Sequence, residues 1–317
     1  MESPAKIIKK SVILVPYDFG PKSVAALNEA ITIAKYVKGK IFLLSVVRKS
    51  DFFSQLFRSE KENRRVLREV RAKLKEIAKE KREKHNIVVS IIVEQGNPND
   101  VILEQAEILK AQYIVMGKMG ESSIIDFSIF GSSTLPIIAQ SPCPVMTVSD
   151  KNLQEEGFKN IVLPIDLTKQ TFEKILKAVS WAKYYKSNIH LVGILTGGIP
   201  IPKSRLASKL ERAKFIIERE GILCTAELYE KDYNTPIHRV ILQHAKKVNG
   251  DLLMIMTHQE LGVIDNYIGA VAQKILRESD IPVISFSNQA IEHNDYFVSS
   301  FLPFELLNNK GIEHLKG

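Results

Sequence analysis

The chain contains the same succession of strands and helices twice. Each copy opens with a short aliphatic run that ends in Pro-x-Asp, as VPYD at 15–18 and as LPID at 163–166. An amphipathic stretch and a second apolar run follow in both copies, the latter at Ile41–Val47 and Ile189–Leu195. Because a repeat that keeps the order of its elements marks a repeated structural unit, the two halves are expected to fold alike.

The apolar runs of each copy are continuous rather than alternating, which is typical of parallel strands covered by helices on both faces. The amphipathic stretches each carry one apolar face, formed by Val24, Leu27, Ile31 and Ala34 in the first copy and by Ile175, Leu176, Val179 and Ala182 in the second. The order of elements is β-α-β-α-β-α-β-α-β, and right-handed crossovers wind such a unit into a doubly wound parallel sheet. The fold class is therefore α/β, with two tandem Rossmann-like domains.

The predicted boundaries follow from where this pattern stops. The first domain is expected at 1–149 and the second at 158–287, separated by the polar segment DKNLQEEG. Residues 288–317 form a C-terminal tail of mixed composition. The last apolar runs of the two copies, Val145–Val148 and Val283–Phe286, are candidates for pairing with each other, because an unpaired edge strand seeks a partner. This predicts a pseudo-dimer within one chain, and the chain itself is a candidate homodimer.

Composition excludes several classes of protein. Hydrophobic residues make up 45% of the 317 residues and charged residues 25%, the balance of a globular protein, and no apolar run is long enough to span a membrane. The two cysteines, Cys143 and Cys224, lack the spacing of a zinc site or a disulfide framework and are interpreted as small buried residues. These features predict a cytoplasmic protein without a membrane partner.

The net charge of +8 is concentrated in the segment Arg58–Lys84. Basic and acidic residues are mixed there on a helical pattern, with an apolar stripe at Val66, Val70, Leu74 and Ile77/Ala78. A surface for single-stranded nucleic acid needs aromatic side chains among the basic ones. A solvated helix docked by its stripe is therefore the favoured interpretation, and no nucleic-acid partner is expected.

The candidate ligand site lies beyond the carboxyl ends of the strands, where open parallel sheets bind their ligands. Asp18 follows the first strand and offers an acceptor to ribose hydroxyls or to an adenine amino group. Gly117 and Gly120 follow the fourth strand, where a missing Cβ lets backbone approach a phosphate, and Lys118 between them adds positive charge. Gly131, Ser132 and Ser133 begin the last helix, whose free N–H groups and dipole favour an anion.

These residues resemble those of the universal stress protein family, across residues 5–149 and 158–287. The resemblance is carried by the VPYDF opening at 15–19, the VMGKMG run at 115–120, Gly131–Ser132 and the SPCPV ending at 141–145. It implies an adenine nucleotide alpha hydrolase-like fold and a role in stress response. It further implies that Asp18, with Pro16 beside it, and the backbone near Val46 meet an adenosine. In the same way Gly117, Gly120, Gly131, Ser132 and Ser133 meet the phosphates of ATP or another adenine nucleotide with Mg²⁺.

The two copies depart from the family's G-x-x-G, nine residues, G-(S/T) pattern in different ways. In the first copy ten residues separate Gly120 from Gly131. In the second copy Met256 and Gln259 replace the first two glycines, and Ala270 replaces the hydroxyl residue, although Asp166 is kept. The second site is therefore expected to be empty or to hold another small ligand.

No catalytic motif accompanies this site. The sequence has no P-loop, no SGGxDS loop and no G-x-S-x-G elbow, and it names no catalytic base for hydrolysis, so we expect a binding protein rather than an enzyme. Asp126 and Glu121 are candidate ligands for a metal beside a triphosphate. His238, His244 and His258 are interpreted as surface or capping residues. Slow ATP hydrolysis stays open, and the alternative function is a scaffold that binds partner proteins through the Arg58–Lys84 helix without nucleotide.

Overall fold

The computed structural model describes eight segments of the chain, namely residues 11–48, 60–118, 134–149, 157–167, 171–195, 204–230, 235–257 and 268–286. The predicted tail at 288–317 lies outside them. The first copy contains, in chain order, β1 (Val12–Pro16), α1 (Pro21–Tyr36), β2 (Lys40–Val47), α2 (Glu60–His85), β3 (Val88–Gln95), α3 (Pro98–Ile108), β4 (Tyr113–Gly117), α4 (Thr134–Gln140) and β5 (Val145–Val148). The second copy contains β6 (Asn160–Ile165), α5 (Thr171–Tyr185), β7 (Asn188–Leu195), α6 (Arg205–Arg219), β8 (Cys224–Glu230), α7 (Ile237–Lys247), β9 (Leu252–Met256), α8 (Ala270–Glu278) and β10 (Val283–Phe286).

The ten described strands form one continuous sheet in the order β3-β2-β1-β4-β5-β10-β9-β6-β7-β8. Within each copy all strand pairs are parallel, and the chain order reverses between the first and fourth strands of the copy. The predicted α/β class and doubly wound topology are confirmed. The continuous apolar runs suit strands that are buried on both faces, and all five residues of β1 are buried.

The two copies meet through the only antiparallel pair among the described strands. Strand β10 pairs with β5 in the register Val283↔Thr147, Ile284↔Met146 and Ser285↔Val145. The hydroxyl of Ser285 adds a hydrogen bond to the carbonyl oxygen of Val145 at 2.9 Å. The predicted pairing of the last apolar runs is thereby confirmed, and each run covers an edge that the other copy would otherwise leave open.

An aromatic cluster on α1 and α5 reinforces this junction. The indole of Trp181 is buried, and its ring centroid lies 5.8 Å from Tyr36, 5.9 Å from Tyr113 and 5.7 Å from Phe158. The hydroxyl groups of Tyr36 and Ser180 form a hydrogen bond of 3.0 Å across the copies. Burial raises the pKa of Tyr36 to about 12. Because aromatic side chains bury large areas, this cluster contributes much of the packing between the copies.

The apolar face predicted for α1 is wrong at one position. Leu27, Ile31 and Ala34 are buried, but Val24 is 37% exposed. Ala26 and Ile33, outside the predicted face, are fully buried. The buried surface of α1 is wider than one stripe because the helix packs on its own sheet and, at Tyr36, against the second copy, while Val24 lies outside this surface.

Helix α2 is docked by its predicted stripe. Leu74 and Ala78 are buried in the core, and Val70 and Ile77 pack against it while partly exposed. Its outer face carries mixed charges, including an Arg65–Glu69 ion pair of 2.8 Å. Both cysteines are free and buried, as predicted, and burial raises the pKa of each thiol to about 12.

Candidate functional site

A crevice opens where β1 and β4 stop pairing. The register between these strands reaches only from Ile13↔Tyr113 to Leu14↔Ile114, whereas β1 and β2 stay paired up to Pro16↔Leu44. The carbonyl of Val12 accepts from Gln112 on the β4 side, while the N–H of Tyr17 donates to Leu44 on the β2 side. Since backbone groups alternate along a strand, the carbonyl of Pro16 faces the β4 side beyond the last pair. It therefore lies at the floor of the crevice.

Asp18 lies at the rim of this crevice in a turn with fixed geometry. Its Oδ1 accepts a hydrogen bond of 2.9 Å from the N–H of Gly20, and its own N–H donates to the hydroxyl of Ser23 at 3.3 Å. The Ser23 hydroxyl in turn donates to the carbonyl of Gly20 at 2.9 Å. This network holds the carboxylate of a half-buried residue directly before α1.

The turn contains a strained residue. Phe19 has a φ of 64°, in the left-handed region that bulky side chains avoid at a cost of about 1–2 kcal/mol. Its ring packs edge-on against that of Tyr17, with centroids 5.3 Å apart. Burial, followed by the charge of Asp18, raises the pKa of Tyr17 to about 12. Strain of this kind is frequent at ligand sites, where the surrounding structure maintains it.

Val46 presents backbone rather than side chain to the same region. Its side chain is fully buried. The backbone N–H of Lys40 donates to the carbonyl of Ser11 on the β1 side of β2, while the carbonyl of Val47 accepts from the N–H of Gly96 on the β3 side. By alternation, the N–H and carbonyl of Val46 face the β1 side, beyond the point where β1 ends. The backbone of Val46 and the turn that holds Asp18 thus both lie at the carboxyl edge of the sheet.

Gly117, at the end of β4, lies tightly against α1. A Cβ added at Gly117 would be 2.7 Å from the Cβ of Lys22 and 2.9 Å from its carbonyl carbon. The N-terminus of α1 can approach β4 only because this residue has no side chain. The glycine therefore has a packing role in addition to the predicted access for phosphate.

Lys118 connects the first copy to the second. Its backbone N–H donates to the carbonyl of Val148, and its ammonium donates to the carbonyl of Ser279 at 2.8 Å. Ser279 is the residue that follows α8, so the positive charge lies at the negative end of that helix dipole. Binding of a phosphate by Lys118 stays a prediction. The other predicted phosphate and metal residues, Gly120, Glu121, Asp126, Gly131, Ser132 and Ser133, lie outside the described residues.

The second copy has the corresponding crevice between β6 and β9, but its residues differ. Asp166 is held by the hydroxyl of Thr171, which donates to its Oδ1 at 2.9 Å. Met256 takes the place of Gly117, and it is partly buried against the core. Lys174, which the sequence analysis did not single out, is buried and donates to the carbonyl of Pro164. The signal that was available is its place in the duplication, since Lys174 corresponds to Ala26.

Comparison with known proteins agrees with this duplicated architecture. The model of the universal stress protein family matches residues 11–149 and again 157–286. The chain belongs to the universal stress protein family. A universal stress protein of Methanocaldococcus jannaschii, MJ0531, is 29% identical over 147 residues, which are 43% of this chain and 80% of that protein.

Two solved structures from Archaeoglobus fulgidus illustrate the range of similar folds. The crystal structure of one of its universal stress proteins covers 87% of this chain and 96% of its own, with a TM-score of 0.71 and 19% identity. Another, described in complex with dAMP, covers 40% of this chain and 96% of its own, with a TM-score of 0.33 and 21% identity.

The interpretation of His238 and His244 as surface or capping residues is wrong. His238 and His244 on α7 are buried rather than at the surface. Nε2 of His238 lies 3.2 Å from Oε1 of Glu278, and Nδ1 of His244 lies 3.1 Å from the hydroxyl of Tyr229. They are buried because α7 turns both toward neighbouring elements, one toward α8 and the other toward β8. His258 lies outside the described residues.

The described part of the chain contains no group of three or more His, Cys, Asp or Glu side chains arranged to hold a metal. In the same residues, no helix is both long and apolar enough to cross a membrane.

Proposed function

We propose that the first copy binds an adenine nucleotide, ATP or a related compound with Mg²⁺, and that the protein acts as a regulatory module in stress response rather than as an enzyme. The observation that carries the proposal is the convergence of polar groups on the crevice beyond β1. The carbonyl of Pro16 faces the gap beyond the β1–β4 pairing, the backbone of Val46 faces the β1 side beyond the end of β1, and the carboxylate of Asp18 is held in the turn after β1.

The chemistry of these groups suits an adenosine. A carboxylate accepts hydrogen bonds from ribose hydroxyls or from an exocyclic amino group, and backbone N–H and carbonyl groups read the edge of a base. The strained turn at Phe19 fixes the carboxylate before the ligand arrives, which lowers the entropy cost of binding. The phosphates would then extend toward the loops that follow β4 and precede α4.

The test is isothermal titration of the full chain with Mg-ATP, comparing Asp18→Ala with the matched variant Asp166→Ala. We expect saturable binding at about one site per chain, weakened about tenfold or more by Asp18→Ala, since hydrogen bonds to charged groups contribute about 1.5–3 kcal/mol. Asp166→Ala should leave the affinity unchanged. Absence of heat at millimolar Mg-ATP, or equal losses in both variants, would refute the proposal. Because no hydrolysis is expected, the protein incubated with Mg-ATP should release phosphate no faster than Mg-ATP in buffer alone.

The scaffold remains the second candidate, and the length and exposure of α2 favour it. The helix spans 26 residues, and most of its described side chains outside the stripe are exposed. Its alternating charges, as in the pair of Lys79 and Glu83, suit a polar protein partner better than a nucleic acid. A location in the cytoplasm stays a prediction.

A further inference from the structure

The second crevice has the same floor as the first. Pairing between β6 and β9 runs only from Ile161↔Leu252 to Val162↔Leu253, so the two strands separate afterwards. The carbonyl of Asn160 accepts from Asp251 on the β9 side, and that of Lys159 accepts from Asn188 on the β7 side. By alternation, the carbonyl of Pro164 faces the gap between β6 and β9, as that of Pro16 faces the gap between β1 and β4.

A lysine from α5 occupies this floor. The side chain of Lys174 is buried, with 2% of the residue exposed, and its ammonium donates to the carbonyl of Pro164. Burial lowers the pKa of this lysine, while the charge of Asp166 opposes the shift and that of Lys209 adds to it. The ammonium thus bonds the carbonyl at the floor, and the carboxylate at the rim favours its charged form.

The first copy has a methyl group at the same position. The repeat aligns Asp18 with Asp166 and Ser23 with Thr171, which places Ala26 opposite Lys174. Ala26 is fully buried and brings no polar atom to the first crevice. The carbonyl of Pro16 therefore meets no donor from this helix position, in contrast to the carbonyl of Pro164.

We infer that this helix position decides which crevice admits a ligand, because Lys174 fills the second crevice from within. Its ammonium supplies the hydrogen-bond donor that an amino or hydroxyl group of a ligand supplies in the first copy. The chain therefore carries one adenosine-class site, in the first copy, and the second is closed by its own side chain and not only by the loss of the phosphate glycines. The inference rests on the proposed function for the identity of the ligand.

The experiment measures the stoichiometry of adenosine binding to the full chain, for the wild type and for Lys174→Ala. Adenosine is the probe because it needs no phosphate loop. We expect one site in the wild type and a second site in Lys174→Ala. Lys174→Met, which keeps the length of the side chain, should show the wild-type stoichiometry, and an added site in that variant would overturn the claim that the side chain fills the crevice.

The outcomes separate the two proposals. No site in the wild type and one in Lys174→Ala would refute the proposed function and support the inference. One site in both proteins would overturn the inference alone, and no site in either would overturn both.

A measurement on the wild type covers the case in which Lys174→Ala does not fold. Native protein is acetylated with an N-hydroxysuccinimide ester, and peptides are quantified by mass spectrometry. In the native protein, Lys174 should react at least tenfold more slowly than the exposed Lys186. In urea, the two lysines should react at similar rates. Equal rates in the native protein would show that Lys174 is not held in the crevice and would overturn the inference.

Discussion

The two crevices of this protein share a backbone and differ in what fills them. In the first, Gly117 lets the start of α1 pack against β4, and Ala26 brings only a methyl group to the helix position that Lys174 holds in the second. In the second, Met256 takes the place of Gly117 and packs against the core, and the ammonium of Lys174 bonds the carbonyl of Pro164. The strand order, the rim aspartate and the hydroxyl that contacts it are nevertheless kept. The duplication thus preserves the fold while it changes the side chains that surround each crevice.

The copies also differ in how each supports the other. Strands β5 and β10 pair across the junction, and the buried indole of Trp181 contacts aromatic rings of both copies. A second copy without an open crevice still contributes the edge strand and the apolar surface that the first copy needs. The second copy therefore contributes to the packing of the first independently of any ligand.

The largest expected effect comes from breaking that junction with Trp181→Ala. Removing a buried aromatic side chain costs about 3–5 kcal/mol in the free energy of unfolding. Since the indole packs on Tyr36 and Tyr113 of the first copy and on Phe158 and Tyr185 of its own, both copies should lose stability. The measurement is urea unfolding followed by far-ultraviolet circular dichroism, because the variant lacks the single tryptophan.

The control for Trp181→Ala is Phe215→Ala, whose side chain is 62% exposed. It should change the free energy of unfolding by less than about 0.5 kcal/mol. If Trp181→Ala lowered the stability no more than this control, the aromatic cluster would not be what joins the copies.

A smaller effect is expected from adding one methyl group at the contact between β4 and α1 of the first copy. Gly117→Ala places a Cβ 2.7 Å from the Cβ of Lys22, and such overpacking costs about 1–3 kcal/mol. The comparison variant Gly269→Ala places its Cβ no closer than 3.9 Å to the nearest atom, at a φ of −57°. Because Gly269 is the N-cap of α8, where Ala is less favourable than Gly, this variant should cost less than about 1 kcal/mol. Thermal unfolding of both variants compares them directly, and equal midpoints would contradict the packing role of Gly117.

The smallest effect concerns acid, which should act on the second copy. Of the described histidines, the buried ones, His190, His238 and His244, all belong to that copy. Burial lowers the pKa of His244, against the opposing charge of Glu227. The Nε2 atom of His244 has no hydrogen-bond partner among the described residues. Burial also lowers the pKa of His190.

The direction of this pH dependence follows from proton uptake. Between the lowered pKa of folded His244 and the ordinary value of about 6.5, the unfolded chain binds more protons, so stability falls as the pH falls through this window. One histidine contributes at most about 1.4 kcal/mol per pH unit. The free energy of unfolding, measured in urea at pH 5.5, 6.5 and 7.5, should change less with pH in His244→Leu than in the wild type. An identical pH dependence in both proteins would refute the role of His244.

Much of the architecture was predictable because it depends on local patterns. Continuous apolar runs predicted the central strands, and the repeated Pro-x-Asp predicted two similar units. The exposure of Val24 and the burial of His238 and His244 were not predictable, since both depend on which neighbours a helix meets. Lys174 escaped notice for a similar reason, because a lysine in an amphipathic helix is usually solvated and nothing in its local sequence marks it as buried.

The sequence by itself determined the duplication, the α/β class and the candidate binding edge of each copy, because periodicity and the order of elements are written along the chain. Only the tertiary structure decided which crevice is filled. The ammonium of Lys174 and the carbonyl of Pro164 are ten residues apart in sequence, and they meet because α5 packs back on β6. The tertiary structure likewise brings Lys118 to Ser279, 161 residues away in sequence. Such contacts arise from packing between elements, which no local pattern encodes.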